Sequence, residues 1–300
     1  MKHTILAAAI AAITVAALAP TLSARVPQAP AQSPAQAPAL EFPQASPAST
    51  LKQRIGVTDV EITYSRPAKK DRAIFGGLVP YSEVWRTGAN AAPKITFSTD
   101  VKWNGQPVPA GTYSLFTIPE KAEWTVILNK VPEQSGTSTY DAKQDLLRVK
   151  VKPATLAAPV ESFRIDVDQI VGGSAVLSIA WDTTSVPVKI ETDVVAMMVP
   201  KIKAAMAAEG KKPYYQAAWF YYENDLDVKQ AATWMAEAVK ERPDAPVWMV
   251  HRQALIQAKA GDKAAALASA NKSLELAAKA GGAQGAEYKR LNEELIASLK

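Results

Sequence analysis

Residues 51–191 alternate apolar and polar side chains along run after run, and this periodicity limits the stretch to half-buried strands. Val60, Ile62 and Tyr64 alternate with Glu61, Thr63 and Ser65, and Phe163, Ile165 and Val167 alternate with Arg164, Asp166 and Asp168. Similar runs occur at Ile95–Phe97, Tyr113–Leu115, Trp124–Leu128, Leu147–Val151, Ala175–Trp181 and Val186–Ile190. Asn104-Gly105 is a hairpin signal, because the favoured two-residue turn needs residues that tolerate positive φ. With no amphipathic helix between these runs, the expectation is one antiparallel β-sandwich or jelly-roll-like domain of about nine strands.

At residue 192 the pattern changes. Residues 192–300 are dominated by Ala, Leu, Lys and Glu, with Pro200, Pro213, Pro243 and Pro246 as punctuation. Tyr214 through Asp227 parallels Trp248 through Asp262 at a spacing of 34 to 35, each pairing an aromatic-led helix with a turn and a second helix. This predicts tetratricopeptide-like helical hairpins. Two such units fall short of the three usually needed for independent stability, so the helices are expected to pack on the β domain or on a second copy. Tyr214, Tyr215, Trp219, Phe220, Tyr221 and Tyr222 exceed one helical stripe, and interdomain packing is their expected role. The fold class is therefore α+β.

The N-terminus carries an address. A basic start (Met1-Lys2-His3), an apolar run from Thr4 to Ala19 and small residues up to Ala24 read as a signal peptide over residues 1–24. The run is too short for a membrane span. Residues 25–50 hold six prolines among Ala, Gln and Ser, the composition of a disordered linker. The expected location is exported, periplasmic or extracellular, with no transmembrane segment in the mature chain.

Composition narrows the chemistry. There is no cysteine, and of the two histidines His3 lies in the signal peptide. Disulfides, thiol nucleophiles and Cys/His zinc sites are excluded, and a Ser-His-Asp triad would have to use His251. A lone helical histidine reads first as packing. No metal and no cofactor is expected. The 34 basic and 29 acidic residues leave +5, spread without a basic stripe, so nucleic acid is not an expected partner. Arg148, Lys150 and Lys152 share one strand face and are expected to pair with acids such as Asp166 and Asp168. Those two carboxylates also admit a glycosidase reading, but surface charge is the simpler one.

The densest unusual stretch is Tyr64 to Asn90. Its cations and aromatics make Arg66, Lys70, Arg72, Tyr81, Trp85, Arg86 and Asn90 the candidate ligand-binding residues. Long connections between strands carry function disproportionately, arginine offers a planar fork to an anion, and Gly76-Gly77 offers backbone N–H groups. The competing reading is a loop folded over the sandwich with its arginines paired internally.

At this stretch the chain resembles a known family. Ser65-Arg66-Pro67, Ile74 through Tyr81 and Val84 through Asn90 are similar to the signature of the family named domain of unknown function 2911. So are Pro109 through Phe116, Glu123 through Ile127 and Leu147 through Val151, and the helical tail resembles an extension found in a subset of that family. The resemblance implies an exported β-rich protein and brings no established activity. One departure stands out: family members often carry Trp-Gly before the Tyr-Asp motif, whereas Gln134-Ser135-Gly136 precedes Tyr140-Asp141 here. A pocket built on that Trp would differ in this chain. Three functional expectations follow: a non-enzymatic ligand- or protein-binding module of the cell envelope, taking a small anion, a peptide or a protein partner at the helices; a hydrolase using carboxylate, Tyr or Lys; and a scaffold acting through its helical hairpins.

Overall fold

The structure, a computed structural model, describes residues 42–300. The expected signal peptide, residues 1–24, and residues 25–41 of the expected linker lie outside the described residues. The strands are β1 (Ala48–Ile55), β2 (Thr58–Ser65), β3 (Lys94–Phe97), β4 (Val101–Trp103), β5 (Gln106–Val108), β6 (Gly111–Ile118), β7 (Trp124–Asn129), β8 (Asp145–Val151), β9 (Ala154–Val171) and β10 (Ser174–Glu191). Six form one sheet in the order β1-β2-β3-β6-β7-β8, and four form a second in the order β5-β4-β10-β9, all pairs antiparallel.

Alternation places the core. On β2, Val60, Ile62 and Tyr64 point inward and Glu61, Thr63 and Ser65 do not. These inward residues join Leu115 and Val126 from the first sheet and Phe163, Ile179 and Trp181 from the second in one apolar cluster. Each large apolar side chain buried there contributes about 1.5–3 kcal/mol relative to exposure. β7 is buried along its whole length, because its other face is also covered: Ile127 packs with Phe116 and Ala92 beneath Val84 and Tyr140. The Asn104-Gly105 hairpin forms between β4 and β5 with both residues at positive φ, +48° and +84°.

Three expectations change. β1 starts at Ala48, so three residues assigned to the linker are strand. They pair with Thr63, Tyr64 and Ser65 of β2, a partner that composition does not reveal. The runs ending at Trp181 and starting at Val186 are one strand, not two. Register shifts around Asp182 (φ +52°) let β10 bend without breaking its pairing with β9, and the described residues hold ten strands. Asp166 and Asp168 do not neighbour the β8 cations, because β8 pairs with β7 while β9 lies in the other sheet. Both aspartates are exposed and accept bonds from their own strand, at Val167 N and Gln169 N.

The helices are α1 (Val194–Ala207), α2 (Tyr214–Glu223), α3 (Val228–Lys240), α4 (Val247–Lys259), α5 (Lys263–Ala280) and α6 (Gly282–Ser298). Asp193, Asp227 and Asp262 cap α1, α3 and α5, each side chain accepting from the third residue onward. Such caps contribute about 1 kcal/mol each. Gly173, in the β9–β10 turn, meets the chain just before α1: a Cβ there would lie 2.7 Å from the Thr192 carbonyl oxygen.

The α2 aromatics do not seek the β region. Tyr221 packs edge-on to Trp234, Tyr215 to Trp248, and Trp219 stacks on Tyr222, all within a cluster of helical residues. Small alanines at Ala217, Ala218, Ala231 and Ala238 bring the helices close, and the rings fill the space between them. His251 is buried, its Nδ1 2.9 Å from Asn292 Oδ1. Asn292 Nδ2 donates to Ser273 Oγ, whose hydroxyl donates to Val247 O. That chain of bonds ties α4, α5 and α6 together and leaves Ser273 no free hydroxyl proton for nucleophilic chemistry. None of the described helices is long and apolar enough to cross a membrane.

Candidate functional site

The site begins where the chain leaves β2. Residues 66–70 cross to the other sheet and run beside β9, with Phe163 N donating to Pro67 O (2.9 Å) and Lys69 N to Glu161 O (2.7 Å). An ion pair from Lys69 to Asp182 (3.9 Å) fastens the crossing to the bend in β10. Arg66 is tied to the crossing, its Nε donating to Phe163 O at 3.0 Å. Lys70 adopts φ +51°, and its backbone N–H goes to Glu161 Oε1. Arg72 uses one edge of its guanidinium internally, Nε to Lys69 O and Nη2 to Ala68 O.

The glycine loop closes on itself. Gly76 N donates to Val79 O (2.8 Å), Gly77 N to Ile74 O (3.3 Å), Leu78 N to Ala73 O and Val79 N to Ile74 O. The backbone donors of Gly76-Gly77, expected to serve an anion, are occupied. Tyr81 lies against Gly76, where a Cβ would come within 2.7 Å of its ring.

Trp85 anchors the next segment through paired backbone bonds with Thr117 (2.7 and 2.9 Å). Its indole is surrounded by Phe75, Trp124, Phe163 and Trp181, the last nearly parallel at 6.0 Å. Thr87 is buried at φ +56°, bonded to Thr117 Oγ1. Asn90, at φ +58°, bonds Ser65 Oγ. Four of the eight described non-glycine residues with positive φ (Lys70, Ser82, Thr87 and Asn90) fall in this one connection. Such conformations cost about 1–3 kcal/mol each and concentrate at functional sites.

Between these segments lies a cavity of about 430 Å³. Its apolar wall includes Pro67, Leu78, Val79, Trp85 and Trp181, and its charged residues are Lys70, Arg72 and Arg86 with no carboxylate among the lining. Lys70, Arg72, Trp85 and Arg86 are thus brought together, while Arg66, Tyr81 and Asn90 are not among the lining residues. Arg86 is half-buried, its Nε is enclosed without a hydrogen-bond partner, and no described carboxylate pairs with it. A buried donor without an acceptor is costly. Sequence reasoning missed Trp181. It follows Arg86 by almost a hundred residues, and its only signal was an aromatic ending an alternating run.

A second polar cluster sits on β7 and β8, away from this lining. Asp145 Oδ2 accepts from Tyr140 Oη and Arg148 Nε, both at 2.7 Å, and Oδ1 accepts from Asn129 Nδ2. The Nε2 amide of buried Gln134 lies within hydrogen-bonding distance of Ser114 Oγ, Asn129 Oδ1 and Val131 O, which share its two hydrogens. The departure from the family motif therefore falls in this cluster and does not touch the cavity. Burial, then the bond to Asp145, pushes the Tyr140 phenol up to about 12. Its stabilising effect is complete below the ordinary value of 10.0 and is lost as pH rises through about 12, because only the unfolded phenol ionises in that window. Tyr140→Phe should flatten the loss of stability over this range in urea titrations. An unchanged slope would exclude Tyr140 as its source.

Residues 46–190 match the model of a family described as "Protein of unknown function (DUF2911)". No curated protein and no solved structure gives a significant match to the chain. Among the described residues, no group of three His, Asp or Glu is placed to hold a metal ion.

Proposed function

We propose, from a β region that matches a family of unknown function, that this protein is a non-enzymatic binding module of the cell envelope. Its β region holds a small anionic ligand in the cavity beside Arg86. The observation that carries this reading is the Arg86 guanidinium. It lines the cavity and donates to no described acceptor, and Lys70 and Arg72 are the other charges among the lining. Internal pairing of the arginines, the competing reading, suits Arg66 but not Arg86. A hydrolase using carboxylate, Tyr or Lys is less well supported, because of these the lining offers only the exposed Lys70. The two sheets are read as a jelly-roll-like sandwich. The hairpins α2–α3 and α4–α5 are read as tetratricopeptide-like units that engage a protein partner. Export to the periplasm or the exterior rests on residues 1–24.

A thermal-shift screen of anionic metabolites, peptides and sugars tests the reading. A ligand at about 100 times its Kd should add about 2.7 kcal/mol to stability. Arg86→Ala is expected to keep the fold and lose the shift. A variant that unfolds instead would make Arg86 structural, and a hit that survives the substitution would place the site elsewhere.

A further inference from the structure

We infer that the anion taken by this cavity is a carboxylate carried on an apolar body: a free organic acid, or the C-terminal residue of a peptide with an apolar side chain. The inference rests on the anion-site reading and narrows it to one chemistry.

Three observations favour a carboxylate over a phosphate or sulfate. Tetrahedral oxyanions are typically cradled by several converging backbone N–H groups. Here the loop suited to supply them has already spent the N–H groups of Gly76, Gly77, Leu78 and Val79 within its own turn. Among the lining side chains, one guanidinium is left with no described acceptor. Arg86 donates to no described acceptor, and with its Nε enclosed the edge it can present is the Nη1–Nη2 pair, whereas Arg72 has committed its Nε and Nη2 edge to Lys69 O and Ala68 O. A single planar fork matches the two coplanar oxygens of a carboxylate.

The third observation is the cavity itself. About 430 Å³ exceeds what a bare inorganic ion needs and lies in the range of organic-ligand pockets. The lining also carries apolar surface, from Pro67, Leu78, Val79 and the two tryptophans. An ionic head at Arg86 therefore leaves a body that needs apolar contact. Lys70 and Arg72 are exposed at the same cavity. Charges so placed raise the rate of encounter more than the affinity and are screened by salt.

The experiment titrates the full chain and follows tryptophan fluorescence and calorimetric heat. The probes are a tripeptide ending in leucine with a free carboxylate, the same peptide amidated, 4-phenylbutyrate, inorganic phosphate and sulfate. Binding of the free-acid peptide or phenylbutyrate is expected, with no binding of the amide and no competition by phosphate. Which of the two binds assigns the source, peptide end or free acid. Arg86→Ala should weaken binding about thirtyfold or more, the usual cost of removing one member of a close charge pair. Arg86→Lys should restore only part of it, since an ammonium has no fork. Lys70→Ala should lower the association rate at low salt and have little effect at high salt. Phosphate or sulfate binding as tightly as the carboxylates, and lost in Arg86→Ala, would keep the anion site and overturn the carboxylate assignment. Amide and acid binding equally would overturn it too. Silence from every probe on a folded wild-type chain would remove the anion site itself.

Discussion

Trp181→Ala is expected to cost about 3–5 kcal/mol, the range for truncating a large aromatic in a packed core. The indole is 2% exposed. It stacks on Trp85 at 6.0 Å, meets Phe163 edge-on at 5.8 Å, and donates Nε1–H to Glu161 O at 3.2 Å. Removal deletes these contacts and leaves the Glu161 carbonyl with Lys69 N as its remaining donor. Domains of this kind have about 5–15 kcal/mol in total, so the loss takes a large share. Urea unfolding should show a lower midpoint at unchanged slope. Trp181→Phe, which keeps a ring at the site, should lose clearly less. Equal losses from the two variants would mean that the Nε1–H bond dominates over packing. Because Trp181 also walls the cavity, Trp181→Ala should weaken ligand binding beyond what the stability change requires.

Asp145→Ala is the second large effect, expected at about 3 kcal/mol. The side chain is 8% exposed and accepts from three partners, Tyr140, Arg148 and Asn129. Removing a buried carboxylate strands its donors, and breaking a buried pair costs about 3–5 kcal/mol. The lower end applies because Arg148 is 43% exposed and regains water once released. Arg148→Ala alone should cost about 1 kcal/mol, in line with half-exposed pairs. A double-mutant cycle separates the pair from the network. If Asp145→Ala in the Arg148→Ala background still costs more than Arg148→Ala alone, Tyr140 and Asn129 carry the remainder. A small cost in both backgrounds would mean that the cluster is ornamental to stability.

The two effects come from different kinds of information. Trp124, Val126 and Leu128 announce a strand by their spacing, and Asp227 and Asp262 announce helix starts by position, because both signals are local. The resemblance to the family was equally local, carried by short ordered blocks within the stretch later matched over residues 46–190. The partner of Arg148 was misread for the opposite reason. Alternation tells which face a residue takes, but not which strand lies beside it, and β8 and β9, consecutive in the chain, belong to different sheets. The α2 aromatics were misassigned in the same way, since ring size says that a side chain must be buried and not against what.

The site shows the same division. Its cations were legible as an unusual density of Lys and Arg with few opposing acids between residues 64 and 90. Which of them stayed free was not. Arg66 and Arg72 found carbonyl partners only because residues 66–70 cross to β9 and turn back on themselves. From the sequence alone come the strand and helix regions, their boundary near residue 191, and a chain without cysteine chemistry, because propensity, periodicity and composition act over a few residues. Only the tertiary structure set Trp181 against Trp85, gave Arg66 the Phe163 carbonyl and left Arg86 without a described partner. Those outcomes depend on long-range pairing and on competition among donors and acceptors, which operate only once distant segments are in contact.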